Sequence, residues 1–420
     1  MDLKDHIVEM AALSKLASKK LSYAETTTKN KALLMMSDAI LNNKDYLISE
    51  NERDIKLARE NELSEAFIDR LTLTEKRINE MAQGLKDTAA LPDPIGEVVK
   101  MWKRPNGLQI GQTRVPIGVI GMIYESRPNV TVDAAALCIK SGNAVILKGG
   151  KEALNSNLAI TKIITDAAAK AGLPDGSIQL IDAGGREAVN ILMRLNDYID
   201  VIIPRGGGNL IRNVVQNSTV PVIQTGVGNC HVYVDKAADF KMAENIIVNA
   251  KVQRPSTCNA METLLVHKDI AKDFLPIMCE KLASLHVEIR GCAKTSAIVK
   301  TVKIIPATEK DFATEFSDLI LSVKVVDSID EAIDHIFKYG TKHSEAIITN
   351  NYANSQKFLA EVDAAAVYVN ASTRFTDGGQ FGFGGEIGIS TQKLHARGPM
   401  GLNELTTLKY IIYGNGQIRE

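Results

Sequence analysis

The chain has 420 residues, 45% of them hydrophobic and 24% charged, and its 49 lysines and arginines nearly balance 50 aspartates and glutamates. That length allows two or three domains with sizeable cores. The charge balance leaves no basic surplus for nucleic acid and no acidic tail, and no apolar run approaches the roughly 20 residues of a membrane-spanning helix.

Residues 1 to about 90 read as helices: apolar positions such as Ile40, Leu41, Tyr46 and Leu47 recur at helical spacing, and proline is absent until Pro92. Pro92 and Pro94 break the pattern. Met101–Arg114 then reads as a hairpin turning at Pro105-Asn106-Gly107. It is poor in apolar residues, and isolated two-stranded hairpins are marginal in water, so it is expected to pack on another subunit.

From Ile117 the rhythm becomes strand, turn, helix. Strands are expected at Gly118–Tyr124, Ala144–Lys148, Ser177–Ile181 and Val201–Ile203, with a helix at Asn155–Ala171 stopped by Gly172-Leu173-Pro174. A second alternating block follows from about Gly228 to Ala366. Its strands are expected at His231–Val234, Met261–His267, Leu319–Val326, Glu345–Thr349 and Ala365–Val369. Strand character returns at Leu408–Tyr413. Alternation of this kind builds parallel sheets covered by helices, with ligands at the carboxyl ends of the strands.

Five cysteines, Cys138, Cys230, Cys258, Cys279 and Cys292, are widely spaced and contain no C-x-x-C pair. That spacing supports neither a disulfide framework nor a zinc finger. Residues 1–5 lack the apolar core of a signal peptide, so a reduced, cytoplasmic protein without a metal site is expected. Cys258 differs from the other four. It lies in Gln253-Arg254-Pro255-Ser256-Thr257-Cys258-Asn259-Ala260, a turn whose polar surroundings favour a thiolate, although a small buried packing cysteine would fit as well. The other four lie in apolar helix or strand contexts, where packing is the expected role.

Two glycine turns suggest a phosphorylated ligand. Lys148-Gly149-Gly150-Lys151 ends one strand and Pro204-Arg205-Gly206-Gly207-Gly208 another, each with a basic residue and a helix to follow. Neither matches G-x-G-x-x-G or the Walker pattern. Tyr124-Glu125-Ser126-Arg127-Pro128-Asn129 reads either as a strand-to-helix turn capped by Asn129 or as an oxyanion or phosphate clamp. Phe381–Thr391 is glycine-dense and aromatic, and His395-Ala396-Arg397-Gly398-Pro399-Met400-Gly401 follows it; both read as binding segments.

At these residues the sequence resembles the aldehyde dehydrogenase superfamily, and within it the γ-glutamyl phosphate reductases. The likeness spans the chain. It is carried by Tyr124–Asn129 with Ser141–Lys148, by Gln224–Tyr233, by Gln253–Ala260, by His343–Ile347 and by His395–Gly401 with Glu404–Thr407. The resemblance implies an α/β, aldehyde dehydrogenase-like fold of two Rossmann-like parallel-sheet domains plus a small oligomerisation hairpin element. Residues 1–98 and 116–227 would bind cofactor, 228–398 would be catalytic, and 99–115 with 399–420 would oligomerise.

By the same resemblance, Cys258 would attack an acyl phosphate and pass through a thioester to glutamate 5-semialdehyde. Arg127 or Asn129 would complete the oxyanion hole, or Arg127 would hold the departing phosphate. NADPH would meet Lys148, Gly149, Gly150, Lys151, Arg205, Gly206, Gly207 and Asp318. Glu386, Ser390, Thr391, His395 and Arg397 would meet the γ-glutamyl phosphate. Hydrolytic relatives carry a water-activating glutamate where Gln224-Thr225 stand here, and its loss would protect the thioester. A homo-oligomer is expected, and the upstream glutamate kinase is a candidate partner. The competing readings are an aldehyde dehydrogenase for another small aldehyde and a catalytically silent protein on this fold.

Overall fold

The computed structural model describes residues 2–419. The chain divides into two units: one holds the residues up to Thr225 with Gly382–Gly388 and the stretch from Met400 on, the other Gly226–Phe381 and Ile389–Pro399.

The first unit opens with α1 (Leu3–Leu21), α2 (Thr26–Asn42), α3 (Lys44–Glu60), α4 (Glu65–Leu71) and α5 (Glu75–Ala90). Ser64 and Thr74 set the starts of α4 and α5, their side chains accepting the N–H groups of Phe67 and Arg77. In α2 the buried residues Leu33, Met36, Ser37 and Ile40 form one face, as helical spacing requires. The hairpin is β1 (Val98–Lys103) and β2 (Gln109–Pro116), longer at both ends than the sequence suggests. Gly107, at φ 91°, makes its turn.

The alternating block follows as β3 (Val119–Tyr124), α6 (Asn129–Lys140), β4 (Ala144–Lys148), α7 (Leu154–Ala171), β5 (Ile178–Leu180), α8 (Gly185–Leu192), β6 (Val201–Arg205) and α9 (Gly208–Asn217). The strands lie in the order β5-β4-β3-β6, each pair parallel. β3 and β4 are buried along their whole length, which is why they read as unbroken apolar runs. Gly172, at φ 102°, ends α7 as its stop signal predicts.

The second unit runs β7 (Cys230–Val234), α10 (Phe240–Val252), β8 (Met261–His267), α11 (Lys268–Ser284), β9 (Glu288–Gly291), α12 (Ala293–Ile298), β10 (Ile304–Pro306), α13 (Glu309–Phe312), β11 (Ile320–Val326), α14 (Ile329–Tyr339), β12 (Ser344–Ile348), α15 (Tyr352–Glu361) and β13 (Ala366–Val369). These strands form one parallel sheet in the order β10-β9-β11-β8-β7-β12-β13. One face packs Val232, Leu264 and Val323 against α10 and α11 through Ile247, Phe274 and Leu275. The other packs Tyr233, Leu265 and Ile347 against α14 and α15 through Ile336 and Phe358.

A two-residue pair, β14 (Ile389–Ser390) and β15 (Gly398–Pro399), closes the glycine-rich stretch. The last strand, β16 (Thr406–Tyr413), returns to the first unit and pairs antiparallel with all of β2, giving the sheet β1-β2-β16.

Candidate active site

Cys258 stands on the turn between α10 and β8, half-buried, at the amino end of its strand. Cys258 thus precedes its strand, whereas the glycine turns of the first unit follow the carboxyl ends of β4 and β6. Three successive carbonyl oxygens of the cysteine turn each receive a donor. Thr257 O accepts the Ala260 N–H at 2.9 Å, Cys258 O accepts the Cys230 thiol at 3.2 Å, and Asn259 O accepts the Thr373 hydroxyl at 2.7 Å. The Asn259 amide in turn donates to Thr376 O at 2.9 Å.

Arg374 binds the same turn from outside, donating to Gln253 Oε1 at 2.9 Å and to Thr257 Oγ1 at 2.8 Å. Burial and the nearby Arg254 charge pull the Arg374 guanidinium below its ordinary pKa, and Cys258, Asp377 and Cys230 act the other way. The Arg374 guanidinium thus lies within electrostatic reach of Cys258.

Behind the turn, Gly228 leaves no room for a side chain: a Cβ there would overlap the Cys258 carbonyl. Its N–H donates to Glu315 Oε1 at 3.0 Å. Lys251, in the last turn of α10, pairs with Glu262 in β8 at 2.6 Å, and both are buried. Burial pushes the Glu262 carboxyl up to about 7 against the pull of Lys251. The pair joins the two stems of the cysteine turn. On β7 and β12 a second buried pair, His231 Nδ1 and Glu345 Oε2, stands at 2.9 Å.

In the first unit, Lys148 is buried at the end of β4, its ammonium donating to Gly149 O at 3.1 Å. Burial lowers its pKa while Glu152 and Asp182 act to raise it. Gly149 is required because a Cβ there would overlap the Asn157 amide. Lys151 is exposed on the short turn that leads into α7. A two-glycine turn between two ammonium groups fits a phosphate-bearing cofactor.

The second turn is already partnered. Gly207 N–H, at the start of α9, donates to Glu125 Oε2 at 2.9 Å, and a side chain on Gly206 would overlap that carboxylate. Asn129 is not a helix cap: Pro128, whose ring fixes φ for a first turn, takes that place. The Asn129 amide instead donates to Asp133 Oδ2 at 3.0 Å. Burial raises the Asp133 carboxyl to about 6, with Asn129 and Arg205 opposing. Thr225 is buried, its hydroxyl donating to Pro204 O at 2.9 Å. Gly388, at φ 157°, packs on Thr225 and Arg205.

The other residues expected to read cofactor and substrate are divided between the two units. Asp318 belongs to the second unit; it is exposed, and its carboxylate accepts the adjacent Leu319 N–H at 2.7 Å. Glu386 lies in the first unit, half-buried. Ser390 is fully buried in β14, and Thr391 packs on Gly226. His395 is exposed at φ 64°. Arg397 donates to Asp363 Oδ1 at 2.7 Å, and Lys342 and Lys393 bind the same carboxylate at 3.2 and 2.9 Å. Those cations hold Asp363 well below the usual carboxylate range.

Sequence reasoning missed Arg374, Glu315, Gly228 and Cys230. Gly228 and Cys230 lie in the Gln224–Tyr233 segment that carries the resemblance, but no role was read for them; Gly228, Cys230 and Arg374 meet the cysteine turn from distant segments, and Glu315 holds Gly228. Cys230 reads as a packing cysteine, and it is fully buried, yet it also reaches the Cys258 carbonyl. Cys292 departs from its expected apolar setting too. Burial would raise its pKa, but hydrogen bonds from Thr295 and from the Val325, Thr295 and Lys294 amides outweigh it, so the thiol is held below its ordinary value. Among the described residues no cluster of three or more His, Cys, Asp or Glu could hold a metal, and no helix is long and apolar enough to cross a membrane.

This arrangement has relatives. The aldehyde dehydrogenase family model matches residues 5–298. The γ-glutamyl phosphate reductase of Clostridium acetobutylicum is 70% identical over 420 residues, all of both chains. The crystal structure of γ-glutamyl phosphate reductase from Thermotoga maritima superposes with a TM-score of 0.96 at 52% identity, covering 98% of this chain and 99% of that one. The Saccharomyces cerevisiae reductase gives 0.54 at 31% identity, with 98% of each chain covered. The chain belongs to the aldehyde dehydrogenase family, and within it to the γ-glutamyl phosphate reductases.

Proposed function

We propose that this protein reduces L-glutamyl 5-phosphate to L-glutamate 5-semialdehyde with release of phosphate, a step of proline biosynthesis, using Cys258 as nucleophile and NADPH as reductant. The observation that carries the reading is full-length likeness to reductases of this name, together with a cysteine turn held on three successive carbonyls and bound by Arg374.

The Cys258 thiolate attacks the acyl carbon, the C–O bond to phosphate breaks, and phosphate leaves, taking up a proton from solvent. A thioester remains. The Cys258 backbone N–H is the donor proposed for the oxyanion, with Arg127 assigned to the departing phosphate and Asn129 to the oxyanion. Lys148 and Lys151 would hold the phosphates of NADPH, which when bound would supply the hydride that reduces the thioester. The C–S bond then breaks, aldehyde is released, and Cys258 returns as the thiolate with no general base required. Neither Thr225 nor Gln224 can take a proton from water, so the thioester is not hydrolysed.

Recognition of the glutamyl head group is assigned to Glu386, Ser390, Thr391, His395 and Arg397, and Asp318 to the cofactor's neighbourhood. Residues up to 98 and 116–227 are the proposed cofactor domain, 228–398 the catalytic domain, and 99–115 with 399–420 an oligomerisation element. Exposed Val98, Met101, Tyr410 and Ile412 on the β1-β2-β16 sheet support a homo-oligomer. The acyl phosphate must come from a kinase acting on glutamate.

The assay is NADPH formation from glutamate semialdehyde, NADP⁺ and phosphate. Phosphate-dependent turnover is expected. Turnover of other small aldehydes but not this one would overturn the assignment.

A further inference from the structure

Cys230 takes no part in the chemistry above, yet its sulfur touches the residue that does. We infer that Cys230 is a positioning residue for Cys258: its S–H donates to the Cys258 carbonyl and, with Gly228, clasps the peptide that follows the nucleophile. The inference rests on Cys258 being the nucleophile.

The contact is 3.2 Å from Sγ to the carbonyl oxygen, well inside the range of a sulfur hydrogen bond. Cys230 is the first residue of β7 and is fully buried, so water cannot replace it as donor. The thiol keeps its proton because burial, and then the nearby charges of Glu345 and Cys258, push its pKa well up. It is therefore a donor, and a poor nucleophile in its own right. Another polar neighbour of Sγ is His343 Nδ1 at 3.7 Å, and that nitrogen lies closer to Ser344 Oγ, at 2.8 Å. The carbonyl is thus the better acceptor.

Two residues earlier, Gly228 lies so close to the same carbonyl that not even a methyl group fits. Gly228 is itself held by Glu315, and Asn229 by the Thr341 hydroxyl on its N–H at 2.9 Å and by Phe312 O and Tyr339 O on its side chain. The segment that grips the nucleophile's peptide is thus anchored on α13, α14 and the loop after α14. The carbonyls before and after it have donors of their own in Ala260 and Thr373. Removing the thiol would take a buried donor from the middle carbonyl and loosen the peptide that carries the Cys258 side chain.

The test compares Cys230→Ala, Cys230→Val and Cys230→Ser. Alanine and valine remove the donor, alanine leaving a void and valine, slightly larger than cysteine, leaving none; serine keeps a donor. For each, kcat, the KM for NADPH, the pH dependence of iodoacetamide alkylation at Cys258 and the thermal midpoint are measured. Alanine and valine should each lower kcat about 10-fold or more, the size expected when a reacting group is misplaced. The NADPH KM should stay unchanged and Cys258 alkylation should slow, and serine should recover kcat to within about threefold. Wild-type kcat in the alanine or valine protein overturns the inference. So does a serine protein as impaired as valine, because volume rather than the donor would then matter. If valine does not fold, alanine against serine decides the question. Cys258→Ser run alongside separates the premises: full activity there would remove the nucleophile assignment itself.

Discussion

Arg374 Nη1 donates to Thr257 Oγ1 at 2.8 Å, joining the residue before Cys258 to a segment 117 positions further along the chain. Its Nε holds Gln253 at the foot of the same turn. Arg374→Lys keeps the charge but not the fork, and it cannot span both acceptors. We expect kcat to fall about 10- to 100-fold for Arg374→Lys and further for Arg374→Ala, with folding retained. Steady-state kinetics beside circular dichroism check this; a lysine variant with wild-type kcat would dismiss the clamp.

Cys258→Ser should lose turnover in both directions by several orders of magnitude, because a serine hydroxyl with no base to activate it is a poor nucleophile. NADPH binding, followed by fluorescence, should persist. Retention of even about a tenth of the rate would rule out a covalent step at this residue.

Lys151 is exposed beside the Lys148-Gly149-Gly150 turn, free to meet the additional phosphate that distinguishes NADP from NAD. Lys151→Glu should weaken NADPH much more than NADH, by roughly 1.5–3 kcal/mol for a lost charged contact. Titration of both cofactors decides it; equal losses would mean that Lys151 is only a solvated charge.

In the oxidative direction the acyl group should leave Cys258 only on phosphate or arsenate. Glutamate semialdehyde and NADP⁺ in phosphate-free buffer should give no more than one burst of NADPH per subunit. A positioned base is typically worth about 10²–10⁴-fold, and Thr225 supplies none. Its side chain is buried and bonded to Pro204. Replacing it with glutamate should therefore destabilise the fold rather than create a hydrolase. Brisk phosphate-independent turnover with free glutamate as product would reassign the enzyme.

Asp133 gives a stability test. Its folded pKa, about 6, lies above the ordinary 3.8, so the folded chain keeps a proton that the unfolded chain has lost between those values. Its contribution is fully present below 3.8 and disappears as pH rises to about 6. Asp133→Asn should remove that slope, leaving the variant more stable than the parent at neutral pH by at most about 3 kcal/mol. Urea melts at acid and neutral pH measure it. A difference that does not change with pH would show that Asp133 ionises normally.

The architecture was largely legible because buried parallel strands are apolar throughout and their turns need glycine or proline, as at Ala144–Lys148 before Gly149-Gly150. Strands β9 and β10 escape such reading. Glu288 and Arg290 alternate with Ile289 in β9, and β10 is three residues long and ends in proline. The cysteine turn was visible as Pro255-Ser256-Thr257-Cys258, but its supports were not. Arg374, Thr373, Gly228 and Cys230 are assembled by sheet order, and β7 beside β8 cannot be read from periodicity. The Glu125–Gly207 contact was hidden for a similar reason: a carboxylate that satisfies a helix start looks, in sequence, like any surface charge.

Strand β16 has a consequence for how the chain is made. It completes the sheet begun by β1 and β2, yet the whole second unit is synthesised between them. On the ribosome the hairpin must wait as a bare two-stranded ribbon with an open edge, a form that is marginal in water and prone to pair with other chains. The first unit is thus finished last. A nascent chain stalled before Thr406 would show its edge at β2, so quality control and aggregation would act there first.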